Sequence, residues 1–372
     1  MKTVFNGYNP DNAGNFLYVP TLELVKEKAL AYAKANKLTP AASDKHKLCV
    51  LAIDQQRDFC HPEGTLYVGG RSGTGAIDDS RRFAEFLYAN VDKITKTIFT
   101  LDTHFPWQIF FSNFWVTRNG VELGPHTMID TVEEKGRTIL VNIDATGKVL
   151  NSDVIPNPKV AREIGAKTPA WLHSQCIHYC NELKNPARGR AKNTLYLWPL
   201  HCLIGSIGHT IVGVIDEARQ FHAFARASQP MIEIKGGNPL SENYSIVQQE
   251  VLTRFDDPTI PLGERNVLFL KHILDNDVIA IAGQAASHCV ASSIDDILTE
   301  ILGKDPELAK KVYILEDCTS SVAVPDGNGG FFADFTPQAD QAFARFKAAG
   351  MNVVKSTDPL SSWPGVAGAL YS

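Results

Sequence analysis

The sequence lacks any long, uninterrupted run of apolar residues. A membrane-spanning helix needs about 20 such residues, and no stretch of the 372-residue chain comes near that length. The N-terminal stretch MKTVFNGYNPDNAGNFLYV also lacks the basic start and the apolar core of a secretory signal. We therefore expect a cytoplasmic protein that has no membrane partner.

The sequence also lacks an excess of positive charge. Lysine and arginine together number 36, against 41 aspartates and glutamates, and the formal net charge is −5. Proteins that bind nucleic acids usually carry a basic patch. We therefore expect no nucleic-acid partner, and the composition favours a small-molecule substrate.

Cysteine is scarce, and the seven cysteines are scattered along the chain. Thiols of a cytoplasmic protein stay reduced, so no disulfide framework is predicted. Cys289 stands in IAIAGQAASHCVASSIDDI (279–297), where an apolar run ends at a glycine and a helical pattern begins. A helix start favours a thiolate and an oxyanion through its unpaired N–H groups and its dipole. Cys289 is therefore a candidate nucleophile, and the alternative is a buried cysteine that packs as a small apolar residue.

Apolar runs alternate with segments of helical spacing along most of the chain. Six runs predict strands at 47–54, 96–104, 229–237, 277–284, 311–318 and 351–357. Five segments predict helices at 21–37, 78–94, 263–274, Cys289 to about Leu302, and 337–350. Strands that are apolar throughout indicate a sheet covered on both faces. We therefore predict an α/β fold with a doubly wound, mainly parallel sheet and helices on both faces.

Two segments interrupt this alternation of strands and helices. Residues 1–45 form an N-terminal extension ahead of a main domain at 46–372, and a long insertion occupies about 116–195. Such an insertion commonly forms a lid or an oligomer contact, and the sequence does not distinguish the two. We expect a homo-oligomer.

Polar and reactive side chains gather at the predicted strand ends. They are Asp54, Asp102, His104, Lys235 and the turn Gly283–Cys289. In open α/β sheets, ligands bind outside the carboxyl ends of the strands. These residues are far apart in sequence, yet the fold would bring them to one edge.

Cys289 needs a proton acceptor and a positive neighbour if it acts as a nucleophile. Asp54 and Lys235 would supply them from the ends of the first and third strands. The alternatives are an aspartate that caps a turn and a solvated lysine at a strand end.

Asp102 and His104 are two residues apart at a strand end, so their side chains can point the same way. His201 could complete a set of one carboxylate and two imidazoles, which suits a divalent transition metal. The alternative is a capping aspartate with two structural histidines.

A second group of cysteines and histidines resembles a metal cluster at first sight. It comprises His173, Cys176, His178 and Cys180 in LHSQCIHYC. Because short zinc motifs usually sit on loops or pair with a second knuckle, helix packing is the favoured interpretation. The basic stretch 185–192 is interpreted as a solvated turn.

Five motifs resemble one known family and occur in its order. They are AIDQQRDFCHPEGTLYVGG (52–70), LDTHFP (101–106), LWPLHCLIGSIG (197–208), IEIKGGNPLSENYS (232–245) and GQAASHCV (283–290). Together they resemble the cysteine hydrolases of the isochorismatase-like superfamily, and most closely the nicotinamidases.

The resemblance implies a role for each member of a catalytic triad. Asp54 would be the general base, Lys235 the supporting cation and Cys289 the nucleophile. A cis peptide would precede Ala285, and the N–H groups of Ala285 and Cys289 would form the oxyanion hole.

The resemblance also implies a divalent metal ion, held by Asp102, His104 and His201. Zinc is expected, with iron or manganese as alternatives. Phe59 and Trp198 would sandwich the substrate ring, whereas the alternative for both is core packing.

Three features depart from the family pattern. Phe110 stands where some nicotinamidases have a further histidine, and Asn243 replaces an acidic residue. The insertion is also much longer than the usual link.

The expected activity is that of an amidohydrolase in NAD salvage. It would convert nicotinamide and water to nicotinate and ammonia through a cysteine thioester. One alternative is another cysteine-dependent C–N hydrolase acting on a carbamoyl, ureido or different aromatic amide substrate. A second alternative is a binding protein without catalysis.

Overall fold

The structure is a computed structural model that describes Phe5 and residues 7–185 and 193–371. The α-helices are α1 (Leu22–Ala35), α2 (Arg57–Cys60), α3 (Gly75–Ala89), α4 (Pro169–Leu183), α5 (Gly213–Arg226), α6 (Val267–Leu274), α7 (Ala291–Lys304), α8 (Thr336–Ala348) and α9 (Val366–Leu370). Among these described helices, none is long and apolar enough to cross a lipid bilayer.

The strands form one large sheet and three smaller ones. They are β1 (Leu48–Ile53), β2 (Ile94–Asp102), β3 (Trp115–Thr117), β4 (Met128–Glu134), β5 (Arg137–Ile143), β6 (Val149–Asn151), β7 (Val154–Pro156), β8 (Leu195–Tyr196), β9 (Met231–Lys235), β10 (Val278–Gly283), β11 (Val312–Leu315), β12 (Ala323–Pro325), β13 (Phe331–Asp334) and β14 (Asn352–Val354).

The large sheet has six strands in the order β14-β11-β10-β1-β2-β9. Every neighbouring pair in it is parallel. These are the six strands predicted from the apolar runs, so the predicted parallel sheet is confirmed.

Helices cover both faces of this sheet. Leu48, Val50 and Ala52 of β1 belong to a core that includes residues of α3 and α5. The alternating Cys49 and Leu51 belong to a second core with residues of α6, α7 and α8. The doubly wound arrangement is therefore confirmed, and it explains why the strands are apolar on both sides.

The register brings the carboxyl ends of the central strands to one edge. Ile53 pairs with Gly283, and Asp102 pairs with Lys235. Asp54 follows β1 directly. Side chains from the ends of β1, β2, β9 and β10 therefore lie side by side.

The N-terminal extension packs against this core through α1 and the segment before it. Val25 and Ala29 of α1 are buried, and the Tyr18 hydroxyl donates to Glu217 Oε2 of α5 at 2.7 Å. Arg57 donates to the carbonyl oxygens of Phe16 and Tyr18. The extension thus braces α2, which lies next to the carboxyl edge.

The predicted insertion contains a second sheet that the sequence analysis did not identify. Its order is β6-β5-β4-β8, and its pairs are antiparallel. Helix α4 agrees with the helix expected in this region. The basic stretch 185–192 was interpreted as a solvated turn. Its residues 186–192 lie outside the described residues.

Gly283 ends β10 in a conformation that requires glycine. Its φ is +139°, and a Cβ atom there would lie 2.0 Å from the carbonyl oxygen of Ile53. We predict that Gly283→Ala lowers the free energy of unfolding by more than about 3 kcal/mol, because the backbone must move to accommodate the Cβ atom. Urea unfolding of the two proteins measures this difference.

Gly303 in α7 is the matched control. A Cβ there meets nothing within 4 Å, so Gly303→Ala should be neutral or stabilising by up to about 1 kcal/mol. Equal effects of the two substitutions would show that the β10 end is not constrained as described.

Candidate active site

Three side chains from separate strand ends meet at the buried edge of the sheet. The Nζ atom of Lys235 lies 2.9 Å from Asp54 Oδ2 and 3.6 Å from Cys289 Sγ. A carboxylate oxygen of Asp54 and the sulfur of Cys289 lie within 4.8 Å of each other. The structure therefore brings together the carboxylate, the ammonium and the thiol that the sequence analysis singled out.

Burial and charge set the protonation of these groups. Burial raises the pKa of the Cys289 thiol well above its ordinary value, although the nearby Lys235 ammonium opposes the change. Burial acts to lower the pKa of Lys235, but Asp102 and Asp54 outweigh it and hold that pKa well above its usual value. At neutral pH the resting site therefore holds a thiol beside a permanent cation, so a nucleophile forms only with a local proton acceptor.

The carboxylates are oriented by polar side chains at the same edge. The Thr100 hydroxyl donates to Asp54 Oδ1 at 2.5 Å. The side chain of Gln56 bonds both the N–H and the carbonyl oxygen of Asp102, at 2.7 Å each. Burial raises the pKa of Asp54 against the opposing effect of Lys235. A raised pKa makes this carboxylate a better proton acceptor from a thiol.

Cys289 lies in a single π-helical turn, Ala286–Val290, which runs directly into α7. Helical backbone therefore begins at Ala286, three residues before the predicted start at Cys289, and its α-helical part begins two residues after it. The peptide between Gln284 and Ala285 is cis, as the family resemblance implies. Among the described residues, no hydrogen bond involves the N–H of Ala285, which leaves that group available as a donor.

Asp102, His104 and His201 form a group whose ligand atoms lie within 4.8 Å of one another. Nδ1 of His104 faces the carbonyl oxygen of Gly236 at 3.0 Å, and Nδ1 of His201 faces that of Pro199 at 2.8 Å. A carbonyl only accepts, so each Nδ1 carries a proton, which leaves each Nε2 as the ring atom that would bind a metal ion.

His104 Nε2 is the atom on which the fit of this group to a metal ion rests. It is buried and has no hydrogen-bond partner among the described residues, although Asp102 Oδ2 lies 3.0 Å away. Two imidazole nitrogens and one carboxylate oxygen, with the imidazoles fixed by backbone carbonyls, form a typical site for zinc, iron or manganese. Burial, and to a lesser extent the neighbouring His104, lowers the pKa of His201 to about 4. The His201 imidazole therefore stays neutral and can bind a metal.

His201 and Trp198 reach the site because their segment runs beside the residues after β2. The N–H of His104 donates to the carbonyl of Cys202 at 3.0 Å, and the N–H of Trp198 donates to that of Phe110 at 2.8 Å. Phe110, which occupies the place of a further histidine, packs its ring 4.8 Å from that of His104. Among the described residues, this group therefore offers three potential protein ligands.

The sulfur of Cys289 faces a cavity of about 30 Å³. Its walls include Phe59, Trp198, Ala285 and His201. The two predicted ring-contacting residues, two of the three predicted metal ligands (Asp102 and His201) and the predicted oxyanion donor Ala285 thus border the same space as the thiol.

Three further polar side chains line this cavity and were not identified from the sequence: Glu242, Tyr244 and His288. Burial, together with Asp102, raises the pKa of Glu242 to about 8. The Trp198 indole donates to the Tyr244 hydroxyl at 3.0 Å. Glu242 directly precedes Asn243 in the matched motif, so an acidic group is present one position from where the family pattern places it.

A larger cavity of about 400 Å³ lies behind Tyr244 and His288. Besides those two side chains, its walls include Met128 and Tyr196 of the second sheet, and Phe335. The His288 ring lies 5.2 Å from the Tyr244 ring and 4.7 Å from the Phe335 ring. The insertion thus forms part of a pocket that shares a wall with the thiol cavity.

The second group of cysteines and histidines is not a metal cluster in the described part of the chain. Cys176 and Cys180 pack in the core, and His178 Nε2 contacts the Thr253 hydroxyl at 2.9 Å. No group of three potential ligands includes any of them. Helix packing, the favoured interpretation, agrees with these contacts.

No family model and no curated protein sequence matches the chain. Solved structures that are similar to it include a nicotinamidase/pyrazinamidase of Acinetobacter baumanii, at 16% identity and a TM-score of 0.45, covering 84% of this chain and 98% of that one. The yeast nicotinamidase bound to the inhibitor nicotinaldehyde is similar at 17% identity and a TM-score of 0.46, covering 83% and 99%.

The pyrazinamidase of Pyrococcus horikoshii in complex with zinc is similar at 15% identity and a TM-score of 0.40, covering 83% of this chain and 99% of that one. At such identities and scores these likenesses decide neither the family nor the activity. The chemistry proposed below therefore depends on the geometry of the site.

The metal group makes a direct binding prediction. We expect the purified, chelator-treated protein to bind one Co²⁺ or Zn²⁺, and His201→Ala to weaken binding at least about a hundredfold because one of three ligands is lost. Competition against a chromophoric chelator measures this.

His209→Ala is the control, because its Nε2 is already 2.8 Å from the Thr103 hydroxyl and it lies outside the ligand group. Unchanged affinity in His201→Ala would place the ion elsewhere.

Proposed function

We propose that this chain is a cysteine-dependent amidohydrolase, with nicotinamide as the substrate that the site suits best. The observation that carries the proposal is the position of the buried Lys235 ammonium, 2.9 Å from Asp54 and 3.6 Å from the sulfur of Cys289. A cation, a base and a thiol at these distances can form a nucleophile, stabilise it and recover its proton.

In the first half of the reaction, Asp54 accepts the thiol proton while the Cys289 sulfur attacks the amide carbon. The carbonyl oxygen becomes an oxyanion that accepts hydrogen bonds from the N–H groups of Ala285 and Cys289. Collapse of this intermediate breaks the C–N bond. Asp54 returns the proton to the leaving nitrogen, ammonia departs, and a thioester remains.

In the second half, a water molecule gives a proton to Asp54 and attacks the thioester carbon. The C–S bond breaks, the carboxylic acid is released, and the thiol of Cys289 is restored with the proton held by Asp54. Lys235 keeps its charge throughout and stabilises the sulfur each time it becomes negative.

Substrate orientation is assigned to the walls of the thiol cavity. Phe59 and Trp198 would hold an aromatic ring between them. Asp102, His104 and His201 would hold a divalent ion, zinc first with iron or manganese as alternatives, which would supply an electrophile to orient a heterocyclic nitrogen. If nicotinamide is the physiological substrate, the enzyme serves NAD salvage.

The larger neighbouring cavity favours a second candidate, a different and larger aromatic amide. Its volume of about 400 Å³ is within the usual range for small-molecule sites, whereas the thiol cavity of about 30 Å³ must widen before any aromatic amide, nicotinamide included, can enter it. Displacement of the Tyr244 and His288 side chains would join the two spaces. A ring-extended amide would then use both, through the same chemistry.

Cys289→Ala tests the chemistry. We expect ammonia release to fall at least about a thousandfold because the nucleophile is lost, with the thermal unfolding midpoint unchanged within a few degrees. Cys176→Ala is the control: Cys176 lies on α4, in the hydrophobic core and away from the site, so this variant should keep its activity. An active Cys289→Ala enzyme would contradict the mechanism, and an inactive wild type on every aromatic amide would contradict the proposed function.

Nicotinamide and benzamide differ only by the ring nitrogen, so their comparison tests orientation by the metal. We expect kcat/KM for nicotinamide to exceed that for benzamide at least about tenfold, since ring positioning is lost without the nitrogen. Removal of the metal should reduce this ratio. A ratio near one in the metal-loaded enzyme would favour the larger-amide candidate, which quinoline-3-carboxamide would then test.

A further inference from the structure

A buried carboxylate on α3 is bonded to the turn that carries the oxyanion donors. We propose that Asp79 is a positioning residue for the oxyanion hole, acting through the side chain of Gln284 and the loop residue Ser320. This inference rests on the proposed amidohydrolase function. Asp79 does not border the thiol cavity, so its effect must pass through these two neighbours.

Gln284 is the first link, and its side chain is completely buried. Its Nε2 donates to Asp79 Oδ2 at 2.9 Å, and its Oε1 accepts the N–H of Ser320 at 3.2 Å. Its own backbone N–H donates to the carbonyl of Ile53 at 2.9 Å. Gln284 is therefore fixed at both ends, directly before the cis peptide and the donor N–H of Ala285.

Ser320 is the second link, and it holds the other side of Ala285. Its hydroxyl donates to Asp79 Oδ2 at 2.6 Å, and its carbonyl oxygen accepts the N–H of Ala286 at 2.8 Å. Asp79 thus orients, through two donors, the residues that flank Ala285 on both sides.

The state of Asp79 suits this role. The residue is 2% exposed, and burial raises its pKa to about 6, an effect that the bonds from Ser320 and Gln284 reduce. Its other oxygen accepts from Arg82 Nη2 at 2.9 Å. At neutral pH Asp79 is therefore a buried carboxylate, and such a group stays charged only if its donors keep their positions.

Precise placement of Ala285 matters because oxyanion donors act only at hydrogen-bond distance from the developing charge. Small displacements of catalytic groups reduce the rate much more than they reduce substrate affinity. The hydrogen bonds of Asp79 go to Arg82, Gln284 and Ser320 and not to Phe59 or Trp198, which would contact the ring. Loss of Asp79 should therefore lower kcat and leave KM nearly unchanged.

Asp79→Asn is the first test, because it keeps the shape of the side chain and removes one acceptor oxygen. We expect kcat to fall about tenfold to a hundredfold, in the range usual for residues that orient catalytic groups, with KM changed less than about threefold. Asp78→Asn is the matched control: Asp78 is on the same helix, bonds Arg81 and Thr74, and should leave both constants unchanged.

A double-mutant cycle tests whether Asp79 acts through Gln284. Gln284→Leu keeps a buried side chain of similar size without its hydrogen bonds. In that background Asp79→Asn should lower kcat by less than about threefold further, because coupled residues are not additive. Full additivity in the double variant would overturn the inference.

Two further measurements keep the inference falsifiable if Asp79→Asn folds poorly or the substrate is different. Ser320→Ala leaves the carboxylate in place and should lower kcat severalfold with KM retained. Hydrogen exchange should be faster in the peptide spanning 283–290 of Asp79→Asn than in wild type, with exchange in β1 unchanged.

The outcomes separate this inference from the proposed function. If the wild type hydrolyses amides and Asp79→Asn has the same kcat and the same hydrogen exchange, only the positioning role is overturned. A wild type that releases no ammonia from any amide overturns the proposed function, and unchanged exchange at 283–290 would then overturn the positioning role as well.

Discussion

The ammonium group of Lys235 is the constraint on which the site depends. It is almost completely buried, and a buried charge without partners is too costly for a folded protein to keep. Asp54 Oδ2 and Asp102 Oδ1 lie 2.9 and 3.0 Å from it. Removal of one partner from such a buried pair typically costs about 3–5 kcal/mol. The three strand ends are therefore held in register by charge as well as by the sheet.

Asp102 connects the two halves of the site. One of its oxygens faces Lys235, and the other faces His104 Nε2 at 3.0 Å. Burial acts to raise the pKa of Asp102, but His104 and Lys235 hold it well below its usual value. The same carboxylate thus helps to keep the lysine charged and belongs to the group that fits a metal. In the proposed mechanism, chemistry at the thiol and orientation of the ring would be coupled through this residue.

Much of this arrangement could be predicted from the sequence. The parts that could be predicted differ from the rest for physical reasons. Runs such as LCVLAI mark buried parallel strands, and the carboxyl-edge rule then places Asp54, Asp102 and Lys235 together. The second sheet escaped prediction because strands such as β6 are short and largely exposed, which leaves no clear periodicity.

Residues that act across long sequence distances were also missed. Asp79 stands in an ordinary helical pattern, and its bond to Gln284 joins residues 205 positions apart. Nothing local distinguishes it from Asp78. Tyr244 reaches the cavity from a loop and His288 from the π-helical turn, and tertiary contacts, not local propensity, set the positions of both.

The central claim is that the thiol beside Lys235 forms a covalent bond to the substrate. The most direct measurement is mass spectrometry of peptides from enzyme quenched in acid during nicotinamide turnover. The account predicts an acylated Cys289, in a peptide whose mass increases by that of the substrate minus ammonia, and no such adduct in Lys235→Met. Ammonia release without an adduct on Cys289, or an adduct on another residue, would contradict it.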